Sequence, residues 1–560
     1  MAAIKIKRAL VSVSDKTGVA EFVKTLADEF GVQIISTGGT ARALRDAGIQ
    51  VTDVAEVTGF AEMMDGRVKT LHPKIHAGLL ADRDNPDHMA QLAERGIEPI
   101  DMVLVNLYPF ERTVAKPGCT FADAIENIDI GGPCMIRASA KNHRGVVIVP
   151  SATMYEPVLE AMRAGKGLVP DDLRTRLARM AFAMTCRYDQ AIASYLAEQV
   201  DAPDPLADVP AGSDMLLGLA DCRPLTYGEN PHQKAIVART GRGRDEATLL
   251  GAVRAGNMSF NNYNDGDAAL GLIKELTRAQ RAGSLGGACA AAVIKHTNPA
   301  GVAIGDDPVD VYRRAYLGDP VAAAGGITAV NFRVTRPIAE AILGSYANWG
   351  KAAGAGFFTI DVFICPEIDD DALALMTTPT DTRSWPGRLR LLAVGDLAAA
   401  PDPADVDVKR IAGGLLVQSP DLEGLNDAQW KTVTQRGPTD AEGSDLRLAW
   451  LICKHTKSNA VTLVKDNQLL GNGAGQMSRV KAAEVAIELA RELGHADQLA
   501  GAAAATDAFY PVPDGPTRLL DAGVKALIHP GGSKRDQDTI DLCNQRGAAM
   551  VLTGTRHFRH

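Results

Sequence analysis

Ala292-Val293-Ile294-Lys295-His296-Thr297-Asn298-Pro299-Ala300-Gly301 is the stretch that decides how this chain is read. An apolar run leads to an ammonium and an imidazole side by side, just before a Pro-Gly turn. The pattern predicts a buried strand that delivers both groups at its end. A similar pattern returns where Ala449-Trp450-Leu451-Ile452-Cys453 runs into Lys454-His455-Thr456-Lys457-Ser458-Asn459. Lys-His-Thr after an apolar run in both places predicts that the two regions are structural repeats. A cation and a general base at a strand end suit acyl or amide chemistry on an anionic substrate.

Working outward, the Lys295 region spans residues 213–376 and the Lys454 region residues 408–560, with Thr377–Asp407, rich in Pro, Thr and Asp, read as a connection. Residues 1–200 alternate short strands and helices, the signature of a doubly wound parallel sheet. Strands are predicted at Ala9–Val13, Val32–Ile35, Met102–Asn106 and Val146–Val149, and helices at Gly18–Phe30 and Ala41–Ala47. Asp201–Gly212, rich in Pro, Asp and Ala, reads as a linker. The fold class is α/β throughout.

At 560 residues and 46% hydrophobic, the chain can bury several cores. A net charge of −9 argues against a protein that coats nucleic acid or anionic membrane, so positive charge for anionic ligands must be local. The 8 cysteines lack paired spacing, which fits reduced thiols in a cytoplasmic protein. The N-terminus has no signal-peptide core, and the most apolar stretch falls far short of the ~20 residues a membrane helix needs.

Ser36-Thr37-Gly38-Gly39-Thr40 lies at a strand-to-helix junction, where paired glycines let a phosphate approach the backbone and free N–H groups meet its oxygens. A plain turn with a Thr cap is the alternative. Ser12, Ser14 and Lys16 occupy a second such junction at the same sheet edge, and the convergence favours phosphate. Asp65-Gly66-Arg67-Val68-Lys69-Thr70-Leu71-His72-Pro73-Lys74-Ile75-His76 interleaves cations with apolar residues, unlike a solvated basic face. Asn106-Leu107-Tyr108-Pro109-Phe110 ends a buried strand, Asp129 precedes Gly131-Gly132, and Lys141-Asn142-His143 adds more cationic groups.

These segments, in this order and spacing, resemble the IMP cyclohydrolase half of the AICAR transformylase/IMP cyclohydrolase family. The resemblance implies a methylglyoxal-synthase-like domain that closes the ring of FAICAR to give IMP and water. It implies Lys69, Tyr108, Asp129 and Lys141 as the catalytic groups. Ser12, Ser14, Lys16, Ser36, Thr37, Gly38, Gly39, Thr40, Arg67, Thr70 and Asn106 would hold the substrate.

The remainder, from Tyr227-Gly228-Glu229-Asn230-Pro231-His232-Gln233 through Gly473-Ala474-Gly475-Gln476 to Thr555-Arg556-His557-Phe558-Arg559-His560, resembles the transformylase half of the same family. That half is similar to two linked cytidine-deaminase-like α/β domains. The chain has no His-x-Glu and no Pro-Cys-x-x-Cys, so no deaminase zinc and no catalytic metal are expected. The implied reaction moves a formyl group from 10-formyltetrahydrofolate to the 5-amino group of AICAR, with Lys295, His296 and Asn459 as the catalytic set. Tyr227, Asp361, Arg479, Phe509, Asp514 and Arg556 would contact nucleotide or folate, although Phe509 and Asp361 also suit packing or capping. The resemblance also implies a homodimer acting on small molecules, with no nucleic-acid or membrane partner.

Thr226 stands where the family has Arg, and Ala322-Ala323-Ala324 replaces Ser-Ala-Phe. These changes put AICAR affinity in question and leave open a nucleotide-binding regulator with a decayed transformylase half. A sugar-phosphate lyase fused to a zinc deaminase is a third reading, and it requires bound zinc.

Overall fold

The computed structural model describes residues 4–64, 67–199, 219–240, 247–381, 383–401 and 405–560, so the linker read at Asp201–Gly212 lies outside the described residues. Two compact units divide between Gly218 and Leu219.

The first unit holds five parallel strands in the order β3-β2-β1-β4-β5. They are β1 (Arg8–Val13), β2 (Gln33–Ser36), β3 (Val51–Asp53), β4 (Met102–Asn106) and β5 (Val147–Val149). β4 and β5 read as unbroken apolar runs because helices cover a parallel sheet on both faces. Helix α1 (Val19–Phe30) stops at Gly31, whose φ of 67° lets its N–H turn back to the Ala27 carbonyl. Helix α2 (Gly38–Asp46) begins before the expected Ala41 because Gly38 and Gly39 belong to its first turn. Helix α3 (Gly131–Lys141) follows Asp129.

In the second unit one twelve-stranded sheet carries two copies of the same topology. The first copy is α4 (Phe260–Arg281), β6 (Cys289–Lys295), β7 (Asn298–Gly305), α5 (Pro308–Gly318), β8 (Gly326–Val330), β9 (Ile360–Cys365) and β10 (Arg390–Ala393). The second is α6 (Asp440–Lys454), β11 (Val461–Lys465), β12 (Gln468–Gly473), α7 (Arg479–Glu492), β13 (Ala503–Thr506), β14 (Ala526–His529) and β15 (Ala549–Leu552). Each copy opens with an antiparallel hairpin, continues through three strands of which the last two pairings are parallel, and ends on a short antiparallel edge strand, Val253–Ala255 or Lys431–Thr432. The copies meet where β7 pairs with β12 through Ala303 and Gln468. Arg314 of α5 braces the seam, donating to the carbonyls of Ile304, Asp466 and Asn467.

Three expectations change. The repeat is real, but its units do not match through Lys-His-Thr. Ala449–Cys453 lies in α6, opened by the Thr439–Glu442 capping box, and Lys454 ends that helix. A short apolar run fits a buried helix as well as a strand, and this helix is buried along its whole second half. The true counterpart of Lys295-His296-Thr297 is Lys465-Asp466-Asn467, because both hairpins carry a bulge just before the lysine, at Val293/Ile294 and Leu463/Val464. Second, the turn falls at His296 and Thr297, with φ of 49° and 63°, and not at Pro299-Gly301, which lie inside β7. Third, Thr377–Asp407 is more than a connection, since it contains β10, paired parallel with β9.

The helix over each hairpin rests directly on glycine. A Cβ at Gly301 would come within 1.9 Å of the Ala315 carbonyl oxygen, and one at Gly471 within 2.2 Å of that of Ala486. Gly301→Ala and Gly471→Ala are each expected to cost about 2–3 kcal/mol through overpacking. Gly286→Ala, with nothing within 4 Å, should leave stability unchanged in urea denaturation.

Candidate active sites

In the first unit the C-terminal ends of β1, β2 and β4 converge. Asn106 closes the edge: its Oδ1 accepts from the N–H groups of Ser14 (2.6 Å) and Asp15 (3.1 Å), and its Nδ2 donates to the Asp15 carbonyl. Ser36 donates to the Val11 carbonyl at 2.7 Å and Thr40 to that of Val13 at 3.0 Å, so both hydroxyls brace the scaffold. Ser12 is half-buried, Thr37 is buried, and Lys16, Gly38 and Gly39 are exposed at the mouth.

Lys69 reaches the α2 start, since a Cβ at Gly38 would lie 3.7 Å from its Nζ. Asp129 accepts from the Gly132 N–H at 2.8 Å, and its own N–H donates to the Tyr188 hydroxyl at 2.7 Å. Burial raises the Asp129 carboxyl above its ordinary range, against the opposing pull of the Gly132 and Tyr108 N–H groups and the Lys69 ammonium. Thr70 packs on Gly131, whose Cβ would stand 2.8 Å from its Oγ1. Lys69, Thr70, Asp129 and the Tyr108 backbone are therefore neighbours, and Tyr108 is 45% exposed. Arg67 forms an ion pair with Glu126, an acid the sequence reading did not match to it. Lys141 ends α3, whose first residues touch Asp129, so about 15 Å of helix separates the two.

In the second unit Lys295 closes β6 and its Nζ donates to the carbonyls of Ala324 (2.9 Å) and Gly325 (3.2 Å). These are main-chain contacts, so the alanines at 322–324 leave this hold intact. Asp361 at the start of β9 shares the spot, since a Cβ at Gly325 would lie 3.6 Å from Lys295 Nζ and 3.9 Å from Asp361 Oδ1. In the other copy Lys465 donates to the Gly501 carbonyl at 3.3 Å, and Gly501, like Gly325, has positive φ. His296 is exposed at the turn.

Asn298, not singled out in the sequence, ties the turn to the Asn459 segment. Its Nδ2 donates to the His296 carbonyl at 3.0 Å and its Oδ1 accepts from the Lys457 N–H at 3.0 Å. Asn459 then donates to the Gln476 carbonyl at 2.9 Å. Asp507, 1% exposed, gathers the next layer. It accepts from Arg479 at 2.9 Å, from the Ser458 hydroxyl and from the Ala460 N–H, while its carbonyl accepts from the His557 N–H. Arg479 also donates to Thr506 and to the Phe509 carbonyl, leaving the Phe509 ring 39% exposed. Ser458 donates its N–H to the Arg559 carbonyl, which docks the terminal residues, and Arg556 stacks on Phe558 with 4.4 Å to the ring centroid. Asp514 is exposed and accepts from the Gly515 N–H, and Tyr227 is exposed after the strand Leu219–Leu225.

Lys454 and His455 serve a different purpose. Lys454 donates to Glu275 at 2.9 Å and His455 Nε2 meets the other Glu275 oxygen at 2.6 Å. Arg559 points an N–H at His455 Nδ1, so Nδ1 accepts and Nε2–H donates to Glu275. Burial holds His455 below its ordinary value, consistent with that neutral ring. Burial alone would raise Glu275, but the hydrogen bonds from His455 and Lys454 and the Lys454 ammonium outweigh it and hold the carboxyl at about 2. Among the described residues, no group of three or more His, Cys, Asp or Glu is placed to hold a metal ion. No helix among them is long and apolar enough to cross a membrane.

A parallel-sheet unit with phosphate-suited helix starts and a duplicated unit presenting Lys295, His296 and Asn459 suit an enzyme with a candidate site for an anionic substrate in each unit. The AICARFT/IMPCHase bienzyme model matches residues 139–489 and an MGS-like domain model residues 18–134. The bifunctional purine biosynthesis protein PurH of Magnetococcus marinus is 46% identical over 99% of this chain and 100% of its own length. That of Bacillus thuringiensis is 43% identical over 99% and 100%. A solved structure, the crystal structure of ForH, aligns with 35% of this chain and 100% of its own at 34% identity and a TM-score of 0.33. The chain belongs to the AICARFT/IMPCHase bienzyme family, and its activities are AICAR formyltransferase and IMP cyclohydrolase in purine biosynthesis.

The ion cluster gives a pH signature. Glu275 lies below its ordinary 4.5, so its contribution is present above about 4.5 and fades as pH falls toward 2. Glu275→Gln should cost about 3 kcal/mol near neutrality in urea denaturation, and the gap to the parent protein should narrow steadily below pH ~4.5. A gap unchanged with pH would contradict this ionised state.

Proposed function

We propose that the formyl group comes from 10-formyltetrahydrofolate and that Lys295, His296 and Asn459 carry out its transfer. The amine of AICAR is a weak nucleophile because its lone pair is delocalised into the imidazole ring. His296 takes the amine proton as nitrogen bonds to the formyl carbon, and Lys295 stabilises the oxyanion of the tetrahedral intermediate. Collapse breaks the bond from carbon to the folate nitrogen, which leaves with a proton, and Asn459 orients the formyl oxygen. The observation that carries this reading is the Asn298 bridge from the His296 carbonyl to the Lys457 N–H, which joins the Lys295 turn to the Asn459 segment. Asp361, Arg479, Phe509, Asp514, Arg556 and Tyr227 surround the transferred groups.

For ring closure, the carboxamide nitrogen attacks the formyl carbon and water departs. Lys69 meets the negative oxygen, and Asp129, its carboxyl raised by burial, exchanges the proton beside Tyr108. Lys141 enters from the far end of α3. Ser12, Ser14, Lys16, Thr37, Gly38, Gly39, Arg67 and Thr70 hold the nucleotide, with Ser36, Thr40 and Asn106 shaping the loops that do so.

We assign residues 1–200 to cyclohydrolase, and 213–376 and 408–560 to two transformylase subdomains resembling cytidine deaminases, β10 joining the first. The protein acts in the cytoplasm as a homodimer. Support for dimerisation comes from the hairpin Asp407–Ile411/Gly414–Gln418, a two-stranded sheet whose residues are all exposed, including Leu415 at 52% and Leu416 at 55%. An isolated hairpin is marginal in water and an apolar one needs a partner surface.

Lys295→Ala should lower formyl-transfer kcat by at least about 100-fold and leave cyclisation of FAICAR intact, and Lys69→Ala should do the reverse. Loss of both activities from either change would refute separate sites. Leu415→Asp combined with Leu416→Asp should sediment as a monomer, and an unchanged dimer would remove the hairpin from the interface.

A further inference from the structure

The two hairpins of the second unit share an anchor. Six residues after the N-cap of each leading helix stands an aspartate: Asp265 after Ser259 in α4, and Asp445 after Thr439 in α6, both caps being capping boxes. Asp265 Oδ1 accepts from the Thr297 N–H at 2.9 Å. Asp445 accepts from the N–H groups of Asn467 at 2.7 Å and Asp466 at 3.1 Å. Both turns place two consecutive residues at positive φ, 49° and 63° for His296 and Thr297, 50° and 59° for Asp466 and Asn467.

The copies differ in what they ask of the backbone. Asp and Asn are among the non-glycine residues that best tolerate this region, whereas a β-branched threonine there is an outlier. A threonine held there is strained and persists only where the surroundings over-determine it. Asp265 is the group in position to do so, and it acts on the residue next to the imidazole. Burial raises the carboxyls of both Asp265 and Asp445, so each is kept against a desolvation cost. The Asp445 turn presents no imidazole, which makes it a matched control inside the same sheet.

We propose that Asp265 is a positioning residue for formyl transfer, holding the His296–Thr297 turn through its backbone so that the imidazole faces the amine, while Asp445 performs the same anchoring without a part in chemistry. The role rests on the assignment of His296 above. An asparagine at 265 keeps an oxygen to accept the Thr297 N–H, so it preserves the anchor, and alanine removes it.

The test measures steady-state formyl transfer to AICAR and urea denaturation for Asp265→Ala, Asp265→Asn, Asp445→Ala and His296→Ala in the full chain. Misplacement of a reacting group by about 1 Å can cost about 100-fold. Asp265→Ala should therefore lose kcat by about that factor with KM for AICAR nearly unchanged, and Asp265→Asn should recover most of it. Asp445→Ala should shift the denaturation midpoint about as much as Asp265→Ala while keeping kcat within about twofold. Equal kcat losses in the two alanine variants, or a KM effect alone in Asp265→Ala, would overturn the role. Formyl transfer retained by His296→Ala would overturn both this role and the site assignment. Loss in His296→Ala with full activity in Asp265→Ala would overturn this role alone.

Discussion

The antiparallel pairing of β7 with β12 is the constraint on which the proposed formyl-transfer site depends. It fuses two half-sheets into one frame, and without it Lys295 and Asn459 belong to separate folding elements. Only one residue pair spans the seam in register, so side chains complete it: Arg314 gathers carbonyls from both halves, and Asn472 donates to Pro299 in one and Thr456 in the other. A fixed sheet also sets the spacing of polar groups more tightly than loops do. The His296–Thr297 turn therefore inherits rigidity from main-chain pairing on both sides.

Duplication with divergence explains much of the second unit. The same helix caps, bulges, glycine-backed strands and turn aspartates recur in both copies, which is what packing demands of this topology. Departures from the shared plan are concentrated in polar groups. His-Thr replaces Asp-Asn in one turn, while the other half contributes the segment with Asn459 and the Asp507 hub. Lys454 and His455, alike in sequence to Lys295 and His296, belong to a buried ion cluster with Glu275. That cluster specifies how α4 and α6 lie together, because removing one partner strands the others without water.

Much of the fold was legible because burial on both faces leaves a plain mark. β5 is an unbroken apolar run, β4 and β6 are apolar up to their last residue, and Gly31 marks the end of α1. Ala449–Cys453 was not legible, since five apolar residues satisfy a strand and a buried helix equally. The β6–β7 turn was hidden because a β-branched residue such as Thr297 is one such a turn ordinarily rejects, while the nearby Pro299 and Gly301 carry the usual turn signal. Within the candidate sites, Lys69, Asp129 and Lys295 stood out as charges set among apolar residues. Asn298 and Asp265 did not, because a side chain bonded to a distant backbone N–H leaves no periodic trace. Lys141 opens a recognisable Lys-Asn-His motif, yet the length of α3 carries it away from Asp129.

Lys295 and Lys465 occupy equivalent places and both clasp the carbonyl of a glycine at positive φ. The ammonium at the strand end is thus part of the shared frame, a rivet between neighbouring strands in both copies. A reaction centre built at the first turn under the proposed assignment needs no cation of its own, only an imidazole one residue beyond a charge that the frame already holds still.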